Sequence, residues 1–319
     1  MAVYTTVSAE ALTAFLAKFD HGALVSAKGI AEGVENSNYL VDTTTGRFIL
    51  TLYEKRVSAD DLPFFLALLD HLADDGNPVP RALPDRSGAA IHQLAGRPAC
   101  LIEFLPGVSV TQPTPAQARA AGAAMGAMHD SLSGFTATRP NTLGPDGWRD
   151  LHARCGADLD AIRPGLFAES RAALDAVVAR WPNDLPVAAI HGDLFPDNVL
   201  MLDDRVTGLI DFYFACTDIR AYDLAVMHTA WSFDGTGAQF DAGVGAALIE
   251  GYAGRFALSD AERAALPVLA QGACLRFMLT RAWDWLNTPA DALVTRKDPL
   301  AYWRRYQRYA AGALRAIRR

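Results

Sequence analysis

The sequence predicts an α+β protein of two lobes, a small one with an antiparallel sheet and a larger, mainly helical one. Three observations carry this. The chain has 319 residues, more than one small core accommodates. Its first hundred residues alternate short apolar runs with turn signals. From about Val108 the character becomes helical. The change falls at "EFLPG", so a lobe of residues 1–106, a hinge at about 103–107 and a second lobe of 107–319 are expected.

The elements follow in order. Leu12, Phe15, Leu16 and Phe19 recur at helical spacing, an amphipathic opening helix rather than a signal peptide. "NYLV" and "RFILTLY" read as paired strands joined by the polar "DTTTG". "ADDLPFFLALLDHLADDG" reads as a helix, with Asp60 or Asp61 at its start, Pro63 in its first turn and Gly76 beyond its end. "AIHQLAGRPACLIEFLPG" reads as a hairpin running into a last strand. "TPAQARAAGAAMGAMHDSL" is an Ala-rich helix after a threonine and Pro115, and residues 166–180, 236–256, 259–282 and 298–317 also look helical.

Composition narrows the class. Apolar residues make up 51% of the chain and charged ones 20%, as in a packed globular protein. Lysine plus arginine number 29 against 36 acids, a net charge of −7 that argues against nucleic acid or an anionic membrane as partner. Cys100, Cys155, Cys216 and Cys274 are far apart and read as reduced, mostly buried thiols of a cytoplasmic protein. No apolar run approaches a membrane span.

The chemistry lies in "AAIHGDLFPDNVLMLDDRVTGLIDFYFA", residues 188–215. Two short strands, "NVLML" and "VTGLI", flank the turn "DDR" and would bring Asn198 and Asp211 side by side. An amide oxygen and a carboxylate there make a hard oxygen site suited to Mg²⁺. Asp193 on the preceding loop would accept a proton from a hydroxyl attacking a phosphate. The plainer reading, that acids and amides merely form turns, suffices for Asp203 and Asp204. It does not explain the spacing of Asp193, Asn198 and Asp211, an H-x-D-x-x-x-x-N arrangement followed by an Asp after a strand.

"HGDLFPDN" followed by "LIDFYFACTDIRAYDLA" resembles the aminoglycoside phosphotransferase and choline kinase branch of the protein-kinase-like fold. The resemblance implies a bilobal fold, ATP and Mg²⁺, with Asp193 as catalytic base and Asn198 and Asp211 as metal ligands. It implies a structural His191 that holds the loop. Asp218 and Asp223 match the motif that follows, where the second acid braces the catalytic loop.

The first lobe would then serve the nucleotide. "KGIAEGVENSNYLV" is not G-x-G-x-x-G, yet Gly29 and Gly33 permit a turn between strands, and Asn36, Ser37 and Asn38 supply donors for phosphates. A glycine turn in a hairpin is the default alternative. The next strand puts Ile49 and Thr51 on one face, and the basic residue usual in this branch falls on Thr51. Lys55 or Arg56 at the strand end would have to replace it, or the phosphates would rely on the loop and Mg²⁺. The acidic partner of such a base would be Asp60 or Asp61. Glu103, Phe104 and Leu105 are expected to contact adenine.

The stretches "DLPFFLALLDHLADDGNPVPRALPD" and "CLRFMLTRAWDWLNTPADALVTRKDPLAYWRR" resemble the homoserine kinases of this branch, enzymes of threonine biosynthesis. The acceptor implied is L-homoserine, with Arg276, Arg281, Asp284 and Trp285 as candidate contacts and a monomer or homodimer as the assembly. A guanidinium fork suits its carboxylate, and an acid its ammonium. An Arg/Asp pair three apart on a helix is as often a salt bridge. Kinases for an aminoglycoside, choline or methylthioribose, or a non-catalytic nucleotide-binding protein, are the alternatives.

Overall fold

A computed structural model describes residues 5–30, 36–54, 58–288 and 296–314. The chain divides into two compact units, Met1–Pro106 and Gly107–Arg319. Gly33, Lys55 and Arg56 lie outside the described residues.

The first unit is built on a five-stranded antiparallel sheet. Its strands are β1 (Leu24–Gly29), β2 (Ser37–Thr43), β3 (Arg47–Leu52), β4 (His92–Leu94) and β5 (Arg97–Glu103), ordered β1-β2-β3-β5-β4. β2 alternates buried and half-buried residues, the period-2 pattern of a strand with one face on a core. The opening helix α1 (Ala9–Leu16) is capped by Ser8 and sets Leu12, Phe15 and Leu16 into that core beside Val41, Leu50 and Leu101. Helix α2 (Leu62–Asp74) begins at Asp61 with Pro63 in its first turn, where a missing N–H costs nothing.

The second unit is mainly helical. It contains α3 (Pro115–Ser131), α4 (Pro145–Cys155), the single turn α5 (Leu159–Ile162) and α6 (Leu166–Val178). Two small hairpin-like sheets follow: β6 (Val187–Ile190) pairs with β9 (Cys216–Ile219), and β7 (Val199–Leu202) with β8 (Arg205–Leu209). Then come α7 (Arg220–Trp231), α8 (Ala242–Ala253), α9 (Asp260–Asn287) and α10 (Leu300–Ala310). Thr114 and Gln117 close a capping box on α3, as Ser259 and Glu262 do on α9. α3 crosses α8 so closely that a Cβ on Gly122 would strike the Leu248 carbonyl, and one on Gly251 the Arg119 carbonyl. Only glycine allows backbones to approach that near.

Several helices departed from expectation, and α4 lies in a stretch for which none was expected. The stretch expected to be helical from 236 starts only at Ala242, because Asp234 folds residues 234–239 into a turn. Its carboxylate accepts from Ala238 N, Gln239 N and the Thr236 hydroxyl. The α7 helix went unread, since every residue from Ala221 to Trp231 is buried and no amphipathic stripe remains.

Candidate active site

The site grows from two short antiparallel strand pairs. β6 and β9 register Ile190 opposite Cys216, so the chain leaves β6 directly into His191-Gly192-Asp193. β7 and β8 register Val199 opposite Leu209 through the Asp203–Asp204 turn, with Asp203 in the left-handed region at φ 54°. One residue beyond that pairing, Ile210 N–H donates to the Asn198 carbonyl at 3.0 Å. Asn198 and Asp211 therefore stand at adjoining strand ends. Asp211 itself is left-handed (φ 66°, ψ 56°), a conformation that acids tolerate better than most residues and that turns the chain sharply out of β8.

The loop backbone is held at successive polar groups. Asp223, fully buried on α7, accepts from His191 N at 2.7 Å and Gly192 N at 2.8 Å. The Gly192 carbonyl accepts from Arg276 Nη1 of α9 at 2.6 Å. Asp193 N–H donates to His191 Nδ1 at 3.2 Å, and the Asp193 carbonyl accepts from Asn198 Nδ2 at 2.7 Å and Phe195 N at 2.8 Å. The Leu194 carbonyl accepts from Trp231 Nε1 at 3.1 Å. Gly192 has φ 74°, and an added Cβ would press on the Phe214 carbonyl at 3.1 Å.

These bonds fix protonation states. Since His191 Nδ1 accepts, its Nε2 must carry the proton that goes to the Ile210 carbonyl at 3.0 Å. Burial pushes this imidazole below its usual pKa, against the pull of Asp223. Burial works against the Asp223 carboxylate too. The His129 hydrogen bond at 3.1 Å, the two histidines and the His191 amide outweigh it and hold its pKa low. His129 in turn meets Tyr252 Oη through Nδ1 at 2.8 Å. For Arg276, burial disfavours the charge, but Tyr222 and Asp193 more than offset it.

Asn198 has a chemical consequence for a cation. Its amide nitrogen is spent on the Asp193 carbonyl and lies 3.4 Å from Asp193 Oδ2, so its oxygen is the atom left to bind a metal. That oxygen with the Asp211 carboxylate is a donor set that fits Mg²⁺.

The remaining expected residues are placed as follows. Thr51 Oγ1 donates to Asn38 Oδ1 at 2.8 Å across β2 and β3, with Ile49 opposite Leu40. Asn36 Oδ1 accepts from Glu54 N at 3.3 Å, and the Ser37 hydroxyl donates to Glu54 Oε1 at 2.8 Å. Glu54 also pairs with Arg97 at 2.9 Å. Glu103 N–H is bonded to the Arg81 carbonyl at 3.0 Å. Phe104 lies under the Arg47 guanidinium at 5.3 Å. Arg276 is buried against Phe277 and Phe214, its Nη1 spent on the loop. Arg281 lies over Tyr302 at 4.5 Å, whereas Asp284 and Trp285 follow on the half-buried end of α9, with Arg296 over Trp285 at 4.9 Å. Sequence reasoning missed His129, whose only signal is a histidine on the apolar side of the Ala-rich helix, and Trp231, which gives none.

A family model described as the phosphotransferase enzyme family matches residues 26–258. A homoserine kinase of Gluconacetobacter diazotrophicus is 55% identical over 313 residues, covering 98% of this chain and 97% of that one. The chain belongs to this phosphotransferase family, in its homoserine kinase branch. A homoserine kinase of Acidiphilium cryptum is likewise 55% identical, covering 95% of both chains. Among solved structures, an amicoumacin kinase bound to AMP-PNP and Ca²⁺ superposes with a TM-score of 0.73 at 16% identity, covering 96% of this chain and 95% of that one. A spectinomycin phosphotransferase does so with 0.70 at 16% identity over 96% and 98%. At such identities the structural neighbours establish the kinase-like fold alone. No helix among the described residues is long and apolar enough to cross a membrane.

Proposed function

We propose that the chain transfers the γ-phosphoryl group of ATP to the side-chain hydroxyl of L-homoserine, giving O-phospho-L-homoserine and ADP. The observation that carries the acceptor is the near-complete match to curated homoserine kinases at 55% identity. The reaction class rests on the braced Asp193 loop beside Asn198 and Asp211.

In this reading Asp193 orients the acceptor hydroxyl and takes its proton as the oxygen attacks phosphorus and the bond to ADP breaks. Asn198 Oδ1 and the Asp211 carboxylate would hold Mg²⁺. The bound ion would offset charge on the β- and γ-phosphates. The fixed loop supplies positioning, which carries most of phosphoryl-transfer catalysis. Toward the nucleotide, Gly33, Asn36, Ser37, Asn38, Ile49 and Thr51 are the phosphate-side residues and Glu103, Phe104 and Leu105 the adenine-side ones. Asp284 and Trp285 remain candidates for the acceptor's ammonium. The enzyme acts on a small molecule in the cytoplasm.

The test is ADP release from MgATP with L-homoserine, choline, kanamycin and methylthioribose, with Asp193→Asn alongside. Homoserine should exceed every other acceptor, and Asp193→Asn should lose about 10²- to 10⁴-fold in kcat. Turnover with homoserine no higher than with buffer would sink the acceptor, and an active Asp193→Asn the base.

A further inference from the structure

Arg305 is the least explained charge in the second unit. It lies on α10 and is only 4% exposed. Its Nη2 donates to the Asp234 carbonyl at 2.8 Å, yet its Nε and Nη1 have no partner. Its guanidinium rests on the Tyr302 ring at 4.3 Å, one turn earlier on the same helix face. A second guanidinium, Arg281 of α9, rests on the same ring at 4.5 Å. Arg281 makes one long contact, from Nη1 to the Asp298 carbonyl at 3.5 Å.

Among the described residues neither arginine has a carboxylate within ion-pair distance. Two acids around them are already used. Asp298 pairs with Arg304 at 3.4 Å, and both Asp234 oxygens serve the 234–239 turn. Two arginines on one ring repel each other, and burying such charge without an anion is costly. Burial indeed pulls the Arg281 pKa down, and Arg305 adds to that, while Tyr302, Asp193 and Asp298 oppose it.

The location ties the pair to the catalytic loop. Tyr302 touches Phe277 of α9 (centroids 5.0 Å apart) and Phe195 (6.2 Å), two residues after Asp193. Phe195 and Phe277 meet at 4.8 Å. Arg281 is near enough to Asp193 for that carboxylate to favour its charge. In an extended four-carbon hydroxy amino acid the hydroxyl and carboxylate lie roughly 5 Å apart, given bonds of about 1.5 Å. A molecule of that length could present its hydroxyl to Asp193 and its carboxylate to Arg281.

We propose that Arg281 and Arg305, stacked on Tyr302, form the carboxylate-recognising end of the acceptor pocket. Arg281 meets the carboxylate, and Arg305 adds a second buried positive charge behind it. The proposal rests on the amino-acid acceptor proposed above and adds the feature that would exclude acceptors lacking a carboxylate, whose binding would leave both charges unmatched.

The experiment compares L-homoserine with 3-amino-1-propanol, the same hydroxy amine without the carboxylate. The amino alcohol is read by its own turnover or by its competition with homoserine. Arg281→Met and Arg305→Met, with Arg305→Lys as a variant that keeps the buried charge, should each lower kcat/KM for homoserine on the order of 10- to 100-fold, mainly through KM. Constants for 3-amino-1-propanol should stay within about threefold, a split that a merely structural role cannot produce. Equal losses on both compounds would overturn the proposal while leaving homoserine phosphorylation by the wild type in place. A wild type silent on homoserine would overturn the functional reading and this proposal with it.

Discussion

Asp223 offers the sharpest test of whether the catalytic loop is held from behind. Its carboxylate is fully buried and accepts three N–H groups, from His191, Gly192 and His129. In Asp223→Asn the shape is kept, but one oxygen becomes an NH₂. Whichever way the amide turns, a donor faces a donor. With the NH₂ toward Gly192, one amide is stranded. With it toward His191, the His191 amide and His129 both are. A stranded buried donor costs about 1–3 kcal/mol, and the surviving bonds lose their charge assistance. Together this predicts a loss of roughly 3–5 kcal/mol, the range for breaking a buried charge pair. The peptide that precedes Asp193 would shift, and a displacement of about 1 Å at a reacting group costs on the order of 10²-fold in rate. Denaturant unfolding and steady-state kinetics read the two effects. Asp223→Asn with a wild-type midpoint and kcat within threefold of wild type would refute the bracing argument.

Two further outcomes follow from the geometry. Gly192→Ala forces a Cβ into a left-handed position (φ 74°) against the Phe214 carbonyl at 3.1 Å, so kcat should fall at least tenfold with a stability loss of about 1–2 kcal/mol. An unchanged kcat would mean that the loop gives way cheaply. His228, whose Nδ1 meets Tyr309 Oη at 2.6 Å, has its pKa pushed down by burial to about 4. The unfolded chain takes up this proton near pH 6.5 and the folded one does not until about 4. Stability is therefore full above pH 6.5 and declines by about 3 kcal/mol as pH falls to 4. His228→Gln should flatten that part of the urea-midpoint profile, and an identical slope in variant and wild type would count against it.

What the sequence made legible follows from how local each feature is. Asp193, Asn198 and Asp211 lie within nineteen residues around one hairpin, so their spacing alone brings them near one another, and the Asp203–Asp204 turn is written in two residues. Asp223 was readable because its motif follows directly. His129 and the bracing role of Arg276 were not, because they lie 94 and 84 positions from their partners Asp223 and Gly192. Arg276 read as a candidate acceptor contact from the resemblance and its guanidinium chemistry, and only packing shows its Nη1 on the Gly192 carbonyl. α7 is buried on every side, so neither its helical period nor the hydrogen bond from Trp231 to Leu194 left a pattern. The 236–241 stretch failed for the opposite reason: one Asp side chain captured the backbone donors that a helix would have used.

The role of α9 joins these observations. Arg276 and Arg281 are five residues apart on one helix, about 7.5 Å along its axis. The first holds the peptide that carries Asp193, and the second lies within the electrostatic reach of the same carboxylate. The position of the base and the position of the acceptor's anion are thus referred to a single rigid element. A change that moved α9 would carry both together and preserve their separation, whereas a change at either arginine alone would break one without the other. Substitutions at Arg276 should accordingly appear in kcat for every acceptor, and those at Arg281 in KM for carboxylate-bearing acceptors only.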